Sequence, residues 1–428
     1  MATSPGPGSE RSAEPGEAGT RGWRRTFWVV FVANLISGAG LMSFLPFFPT
    51  LLEELGVTDP HASAVWSGVL FGAAPLSAAF TGPLWGSIGD RFGRKLMVMR
   101  SLIGLATFVG LMAFARSPWQ LLFLRIGQGI FSGYMPPSLT LVSVAAPHDR
   151  QGQVTSWIQT ASTLGTIAGP MIGALLLAVA GVGQIFLWTA AGAGASAVLV
   201  ALLAVEEPLR RAGAESLSIL AVVRGSWGDV RRLLANLRLR EALVLYACVH
   251  FALGATNPLM EFLVEAVWRG DPARIEGLTG TLFSTLALAA IVATPLWGHL
   301  GDRRGHALGL RMASALAAVS LVAHGLVASF AWLFAVRLVF GLASPGASAS
   351  AFGLAAAETA REERGAAMGA VFSARSFALS GGAFLGGWLS GALGVRGLFV
   401  AAGAVIGLGL VFGRPRSRGE ACRPGTAP

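Results

Sequence analysis

Four ionisable side chains lie inside long apolar stretches of this chain, where a charge is costly to bury and is usually kept for a function. They are Arg125, His250, Glu261 and Arg337. Glu261 carries the only carboxyl group clearly within such a stretch, and either it or His250, which lies nearer to mid-depth, could exchange a proton. The alternatives are a glutamate solvated at the membrane boundary and a neutral, hydrogen-bonded histidine.

The spacing of the other reactive residues indicates no further chemistry. The six histidines are dispersed, and the two cysteines, Cys248 and Cys422, have no metal-ligand spacing and cannot form a disulfide framework. The sequence also contains no nucleotide-binding P-loop. We therefore predict a protein that is not an enzyme and that has no metal site and no cofactor.

The composition places these residues in a membrane. The chain of 428 residues is 54% hydrophobic and only 13% charged, with a mean hydropathy of +0.63, whereas about a quarter of the residues of soluble domains are charged. A net charge of +10 would suggest nucleic-acid binding in a soluble protein, but membrane topology explains it here. We expect an all-α polytopic protein in the lipid bilayer, with no nucleic-acid partner.

Runs of roughly 20 apolar residues, which are long enough to cross a bilayer as a helix, predict twelve membrane spans. Their approximate ranges are 26–51, 65–85, 96–115, 118–144, 153–179, 184–204, 242–264, 278–298, 307–327, 330–356, 365–391 and 396–413. The one long polar interruption falls between the sixth and the seventh. The twelve spans therefore divide into two bundles of six.

This division defines five parts of the chain. They are a disordered tail at 1–22, a six-helix half at 23–204, a loop between the halves at 205–241, a second six-helix half at 242–414 and a tail at 415–428. Within the loop, apolar residues recur at helical spacing over 216–239. This pattern predicts a helix on the membrane surface, which would tether the halves or bind a regulatory partner.

A repeat relates the two halves. The stretch GPLWGSIGDRFGRK at 82–95 recurs as TPLWGHLGDRRGHA at 294–307, and matching residues such as Asp90 and Asp302 are 212 positions apart. Each copy lies in the loop after the second span of its half. The halves are therefore predicted to be pseudo-symmetric copies of one unit.

The distribution of positive charge predicts the orientation, because short cytoplasmic loops retain Arg and Lys. If the N-terminus is inside, the outer loops hold only four basic residues, which are Arg116, Arg269, Arg274 and Arg396. Most of the other basic residues then lie in the tails and in the loops of the inner side. We predict a location in the plasma (inner) membrane with both termini and both copies of the repeat in the cytoplasm.

The repeated loop resembles that of the major facilitator superfamily, and the resemblance covers nearly the whole chain. The family pattern G-x-x-x-D-R-x-G-R-K is matched by Gly86, Asp90, Arg91, Gly93, Arg94 and Lys95. The degenerate second copy, as is usual for the family, keeps Gly298, Asp302, Arg303 and Gly305. The resemblance implies the family fold, with twelve helices in two six-helix bundles.

The resemblance also implies that this loop is a cytoplasmic gate. In the family the aspartate contacts the start of the eleventh helix, so Asp90 would meet the helix N-terminus near Gly365, which stabilises a negative charge. The acidic residues among 358–363 would then be available to Arg91 or Arg94. The gate would be held shut while the opposite side is open.

A second family pattern, R-x-x-Q-G, occurs in the fourth span. It appears as Arg125, Gln128 and Gly129, and Arg337 recurs at the same offset of 212. A buried arginine must find partners inside the bundle. Both arginines are therefore predicted to point inward.

A third pattern lies in the fifth span. Gly165, Gly169, Pro170 and Gly173 match the G-x-x-x-G-P-x-x-G signature that is associated, within the superfamily, with proton-driven drug exporters. Small residues allow close helix contact and proline kinks a helix, which would suit a helix that rocks against the other half. The alternative interpretation is a packing face alone.

In the family fold the substrate binds between the halves near the midplane, in a cavity lined by the first, fourth, seventh and tenth helices. The candidate residues on these helices are Asn34, Phe44, Phe131, Tyr134, Met135, Phe251, Asn257 and Met260. A wall with so few polar groups favours amphipathic or lipophilic cargo over sugars. Each aromatic taken singly could instead be packing, and Asn34 stands where some antiporters carry an acid.

The stretches 45–57 and 125–139 look most like the twelve-helix drug:proton antiporters of the multidrug and tetracycline-efflux type. The resemblance implies a monomeric secondary transporter that exports a small-molecule substrate by alternating access, with the proton gradient as its energy source. Glu261 and His250 are the candidate proton sites. The alternatives on the same fold are an exporter of an endogenous metabolite or siderophore, and a facilitative or symport importer.

Overall fold

A computed structural model describes residues 17–131, 133–147, 150–206, 236–359 and 364–412. Within these ranges every regular element is a helix and no strand occurs. The tail at 415–428, residues 1–16 and the predicted surface helix up to residue 235 lie outside the described residues. The prediction of an all-α protein is confirmed.

The first half contains eight α-helices and one short 3-10 helix. They are α1 (Glu17–Phe44), the 3-10 turn Leu45–Phe47, α2 (Phe48–Glu54), α3 (Pro60–Phe92), α4 (Arg94–Met112), α5 (Pro118–Phe131), α6 (Met135–Ala145), α7 (Gln151–Ala180) and α8 (Val182–Leu203). Helix α1 begins at Glu17, within the stretch predicted to be a disordered tail. Once a helix is formed, each added residue gains one hydrogen bond, so α1 extends beyond its apolar part.

The second half repeats this order. Its elements are α9 (Leu237–Thr256), the 3-10 turn Asn257–Leu259, α10 (Met260–Val267), the 3-10 turn Pro272–Arg274, α11 (Ile275–Arg304), α12 (His306–Leu326), α13 (Phe330–Glu358) and α14 (Arg364–Phe412). Helix α14 contains Gly394 in a non-helical conformation, with φ 67° and ψ 164°. A positive φ is readily adopted by glycine alone, so the break falls at this residue.

The helices account for the twelve predicted spans. Ten segments of the described chain are long and apolar enough to cross a membrane. The longest, Ala370–Phe412, has 43 residues and would measure about 65 Å as one straight helix, twice a bilayer core of about 30 Å. It therefore supplies two spans that meet at Gly394, and the pair α5 and α6 together supplies the remaining one.

Breaks in the first and seventh spans follow the repeat. The 3-10 turns Leu45–Phe47 and Asn257–Leu259 are 212 residues apart, and each has a proline, Pro46 or Pro258, at its second position. Proline lacks the N–H that would continue the helix. The two corresponding helices are therefore broken at the same depth.

Hydrogen bonds also repeat between the halves. The indole Nε1 of Trp85 donates to the carbonyl oxygen of Ile130, and that of Trp297 donates to Leu342, each over 2.7 Å. Both pairs join the second span of a half to its fourth. The tryptophans of the repeated stretch thus fix the same contact twice, which is the structural basis of the pseudo-symmetry.

Candidate functional site

The two halves meet through two pairs of helices. In the first pair, α3 runs against the first part of α14, and in the second pair α7 runs against α11. We call the end of the bundle at Gly93 and Gly305 the motif face and the end at residues 55–59 and 268–274 the distal face. All the contacts between halves described below are assigned to these two faces.

The first pair of helices is packed closely toward the distal face. A Cβ atom added at Gly387 would lie 2.5 Å from the carbonyl oxygen of Ala64, and one at Gly68 would collide with the carbonyl oxygen of Ala383. Such approaches are open only to glycine. The innermost ring contact of this pair joins Phe80, which is 62% exposed, to Phe377 over 5.3 Å.

The second pair is also joined near the distal face. The hydroxyl of Ser284 donates to the carbonyl oxygen of Ile167 over 2.7 Å. One turn nearer the distal face, a Cβ at Gly280 would lie 2.8 Å from the carbonyl oxygen of Pro170. The proline of the predicted exporter signature therefore faces the other half.

The same two helix faces separate toward the motif face. Residues four apart share a face of a helix, so Val292 and Leu296 continue the stripe of α11 that includes Ser284, yet they are 56% and 65% exposed. On α7 the stripe continues through Leu164 and Trp157, which are 42% and 50% exposed. The halves thus enclose a cleft that is closed at the distal face and widens toward the motif face.

The glycines of the fifth span pack against α1 in their own half. A Cβ at Gly169 would lie 2.5 Å from the carbonyl oxygen of Ala39, and added Cβ atoms at Gly165 and Gly173 would collide with the carbonyl oxygens of Leu35 and Ser43. Helix α7 is therefore held tightly to α1 on one side. On its other side it bears Pro170, which faces the cleft partner α11.

A titratable group spans the halves at the closed end of the cleft. The hydroxyl of Thr50, on α2, donates to Oε1 of Glu261, on α10, over 2.8 Å. The other carboxyl oxygen of Glu261, Oε2, is buried and has no hydrogen-bond partner among the described residues. Glu53, Glu265 and Glu276 lie near enough to act electrostatically on this carboxyl group.

His250 is placed differently from Glu261. It is buried in the second half, where Nδ1 lies 3.1 Å from the carbonyl oxygen of Tyr246 and the two rings are 4.2 Å apart. A carbonyl can only accept, so this contact requires the proton on Nδ1. The structure thus gives His250 the packed, hydrogen-bonded surroundings of the alternative interpretation, and its role as a proton site stays a prediction.

Arg125 is enclosed by partners of its own half. Its Nε donates to the carbonyl oxygen of Leu70 over 2.9 Å, and Nη1 donates to Oε1 of Gln128. The guanidinium lies over the rings of Phe44 and Phe48, 5.7 and 5.4 Å from their centroids. The pattern R-x-x-Q-G therefore supplies the arginine and its acceptor together.

Arg337 is buried just as deeply but has fewer partners. Its Nη2 donates to Oδ1 of Asn257 over 3.2 Å, while Nε and Nη1 have no hydrogen-bond partner among the described residues. The guanidinium lies over Phe283 and Phe340, at 5.3 and 5.9 Å. Both arginines point inward in the structure, each toward its own bundle.

The remaining cavity candidates are dispersed. Asn34, Phe44, Tyr134 and Met260 are buried within the halves, and Met135 and Phe251 are half-buried. The Nδ2 group of Asn34 donates to the carbonyl oxygen of Val30, and its Oδ1 is buried without a partner. The structure brings Phe44 to Arg125 and Asn257 to Arg337, and it does not gather all eight candidates around one space.

Phe131 lies apart from the other candidates. Its ring stacks on Phe108 at 5.5 Å and lies 6.0 Å from Trp85, and the residue is 37% exposed. A Cβ at Gly104 would also collide with this side chain, unless it shifted. Phe131 therefore packs against the second and third spans of its own half.

The first copy of the loop motif is anchored by a residue that the sequence analysis did not select. Glu206 accepts the backbone N–H groups of Arg94 (2.6 Å) and Lys95 (3.1 Å), at the start of α4, where a helix dipole favours negative charge. Gly93, with φ 108°, has this carboxylate 2.9 Å from where its Cβ would be. A lone acid after a span could have been tested as a helix cap.

Lys95 completes this anchor. Its Nζ donates to the carbonyl oxygens of Ala201 and Ala204, each over 2.8 Å, at the end of α8. These orphan carbonyls at a helix C-terminus need donors. The lysine therefore caps the sixth span in this conformation, while the side chains of Gly86, Asp90 and Arg91 lie outside the described residues.

The second copy of the motif is arranged otherwise. His306 lies 3.6 Å from the carboxyl group of Asp302, four residues earlier on the preceding turn. Glu358, which was predicted to be available to Arg91 or Arg94, contacts Arg238 over 3.3 Å. The predicted contact of Asp90 with the region of Gly365 lies outside the described side chains.

Together, twelve apolar spans in two pseudo-symmetric halves, with a cleft between them, define a multi-pass membrane transporter. A family model described as Major Facilitator Superfamily matches residues 30–266 and 242–427. The chain belongs to this superfamily. A small-molecule substrate and a membrane location follow from the transporter fold.

Several curated relatives share one name. The chain is similar to the multidrug resistance protein MdtG of Proteus mirabilis, 29% identical over 320 residues that cover 74% of this chain and 77% of the relative. It is 30% identical over 322 residues to MdtG of Salmonella dublin, which covers 75% and 78% of the two chains. Both relatives are thus matched over most of their length.

Solved structures show the same fold. A bacterial homologue of the human lysosomal transporter Spinster, in an inward-facing and unoccupied conformation, matches with a TM-score of 0.74 at 15% identity, covering 94% of this chain and 97% of that one. The human organic anion transporter MFSD10 matches with a TM-score of 0.68 at 19% identity, covering 94% and 100%. At these identities the likeness concerns the fold alone.

Proposed function

We propose that this chain is a proton-coupled exporter that moves small amphipathic or lipophilic compounds out of the cell by alternating access. The motif face is cytoplasmic in this proposal, so the cleft is open to the cytoplasm. Support comes from the relatives named multidrug resistance protein and from the apolar residues that continue the cleft walls, such as Val292 and Leu296.

The observation that carries the proposal is the hydrogen bond between Thr50 and Glu261, which joins the two halves at the closed end of the cleft. While Glu261 holds a proton, the bond keeps the distal face shut. When the proton leaves, a negative charge arises beside Glu53, Glu265 and Glu276. Their mutual repulsion then favours the state in which the halves separate at the distal face.

This cycle gives exchange. Substrate enters the cleft from the motif face, the proton leaves Glu261, and the distal face opens to release the substrate outside. A proton from outside then restores the bond with Thr50 and closes that face. The α7 helix can transmit the motion, because it is fixed to α1 by Gly165 and Gly169 and touches the other half at Pro170.

The proposal is tested in inverted membrane vesicles with a chemically mixed panel of lipophilic compounds. We expect accumulation of substrate that stops when the pH gradient is collapsed, and release of protons on adding substrate. Glu261→Gln should abolish coupled transport, whereas Glu265→Gln, one turn away on the exposed side of α10, should retain it. Transport that is indifferent to the gradient, or that survives Glu261→Gln, would refute proton coupling at this site.

A further inference from the structure

The two intramembrane arginines occupy equivalent places in the two halves but have unequal surroundings. Arg125 and Arg337 are 212 residues apart, and both are 2% exposed or less. In the first half Gln128 accepts a hydrogen bond from Arg125. The equivalent position in the second half, 212 residues later, is Phe340, so the acceptor is replaced by a ring that cannot accept.

This replacement leaves Arg337 with a deficit. Nε and Nη1 lie side by side on one edge of the guanidinium, and both are buried without an acceptor among the described residues. Breaking a buried charge pair destabilises a protein strongly, because the remaining charge is uncompensated. Two adjacent free donors on a fixed planar group match the two oxygens of a carboxylate.

The surroundings of Arg337 fit an anion that also carries an apolar part. The rings of Phe283 and Phe340 cover the guanidinium, and Phe283 belongs to α11, which forms one wall of the cleft. Asn257, which binds Nη2, is half-buried and offers an amide with both donor and acceptor capacity. The break at Asn257–Leu259 places this amide at the closed end of the cleft.

We propose that Arg337 and Asn257 form an anion-binding subsite that receives the carboxylate of an amphipathic substrate, with its apolar part against Phe283. The subsite deepens the proposed function and rests on it for its use in transport, since it names a substrate class. Binding itself requires neither a gradient nor a cycle. Arg125 cannot serve in the same way, because Leu70 and Gln128 already accept from it.

The test compares two probes that differ in one group, naphthalene-2-carboxylate and naphthalene-2-carboxamide. Their affinities for the full chain in lipid nanodiscs are measured by calorimetry at neutral pH without any gradient. A charge-assisted pair of hydrogen bonds should favour the carboxylate by about tenfold or more. Equal affinities for the two probes would overturn the proposal.

Variants assign the preference to the guanidinium. Arg337→Gln should remove the preference for the carboxylate and leave the amide affinity within about twofold. Phe340→Gln should weaken carboxylate binding at least about fivefold, because it restores the internal acceptor that Arg125 has in Gln128. Leu338→Gln, on the same helix and 40% exposed, is the control and should keep the preference.

Each outcome is decisive. A preference that survives Arg337→Gln or Phe340→Gln in monodisperse protein overturns the subsite. If Phe340→Gln fails to fold, Arg337→Lys replaces it, and it should reduce the preference because an ammonium cannot bind both oxygens as a fork. Carboxylate binding that persists while the vesicles show no proton-coupled transport would refute the proposed function and retain the subsite.

Discussion

Gly169 offers a direct test of how closely α7 must approach α1. In Gly169→Ala the new Cβ would lie 2.5 Å from the carbonyl oxygen of Ala39 and 2.7 Å from Cβ of Met42, whereas ordinary contact begins near 3.4 Å. The first of these atoms belongs to the backbone and cannot rotate away. The helices must therefore separate by several tenths of an ångström, and a forced separation of this kind costs about 1–3 kcal/mol.

The assay is thermal unfolding followed by the fluorescence of the 12 tryptophans, together with transport in inverted vesicles. We expect Gly169→Ala to lower the unfolding midpoint by several degrees and to reduce transport, because α7 is displaced toward Pro170 and Gly280 on its other side. Gly407→Ala is the matched control, since a Cβ at that helical glycine would meet nothing within 4 Å. If both variants behaved alike, the close approach of α7 to α1 would not matter to stability or transport.

Three further substitutions test other contacts. Glu206→Ala should lower stability by about 1 kcal/mol, because two backbone donors at the start of α4 lose their acceptor; an unchanged unfolding midpoint would contradict the capping role. Thr50→Val should lengthen the distance between spin labels at exposed positions 54 and 265 on the distal face, because the bond to Glu261 is lost; identical distance distributions would show that the bond does not hold the face shut. Trp297→Phe should destabilise the second half by about 1 kcal/mol through the unpaired carbonyl of Leu342, and an unfolding midpoint equal to that of the parent chain would argue against this.

The sequence predicted the architecture because membrane spans are written in a strong local code. Every backbone polar group in a bilayer must bond within its own helix, so long apolar runs become helices whatever surrounds them. The repeat carried further information: Trp85 and Trp297 recur at the offset of 212 and make equivalent bonds. The inward direction of Arg125 and Arg337 followed from the cost of a charge facing lipid.

The contacts of the site could not be predicted in the same way, because they join helices that are distant in sequence. The bond between Thr50 and Glu261 links residues 211 positions apart, and no local pattern marks Thr50. One signal was present: Pro46 and Pro258 place the breaks of the first and seventh spans at one depth, so the segments after them face each other. Applying the repeat to Pro46 would have placed Thr50 opposite Phe262, beside Glu261.

The differences between the two copies indicate where each half has specialised. In the first half the polar groups are satisfied internally: Arg125 has Gln128, and the start of α4 has Glu206. In the second half, buried polar atoms of Glu261, Arg337 and His324 have no hydrogen-bond partner among the described residues, and a Cβ at Gly305 would meet nothing within 4 Å. A buried group without a partner destabilises the state that contains it. A proton or an anion bound only in that state can therefore shift the balance between conformations, by as much as it binds the two states differently. On this reasoning the first half acts as the fixed frame, and the second half responds to ligands.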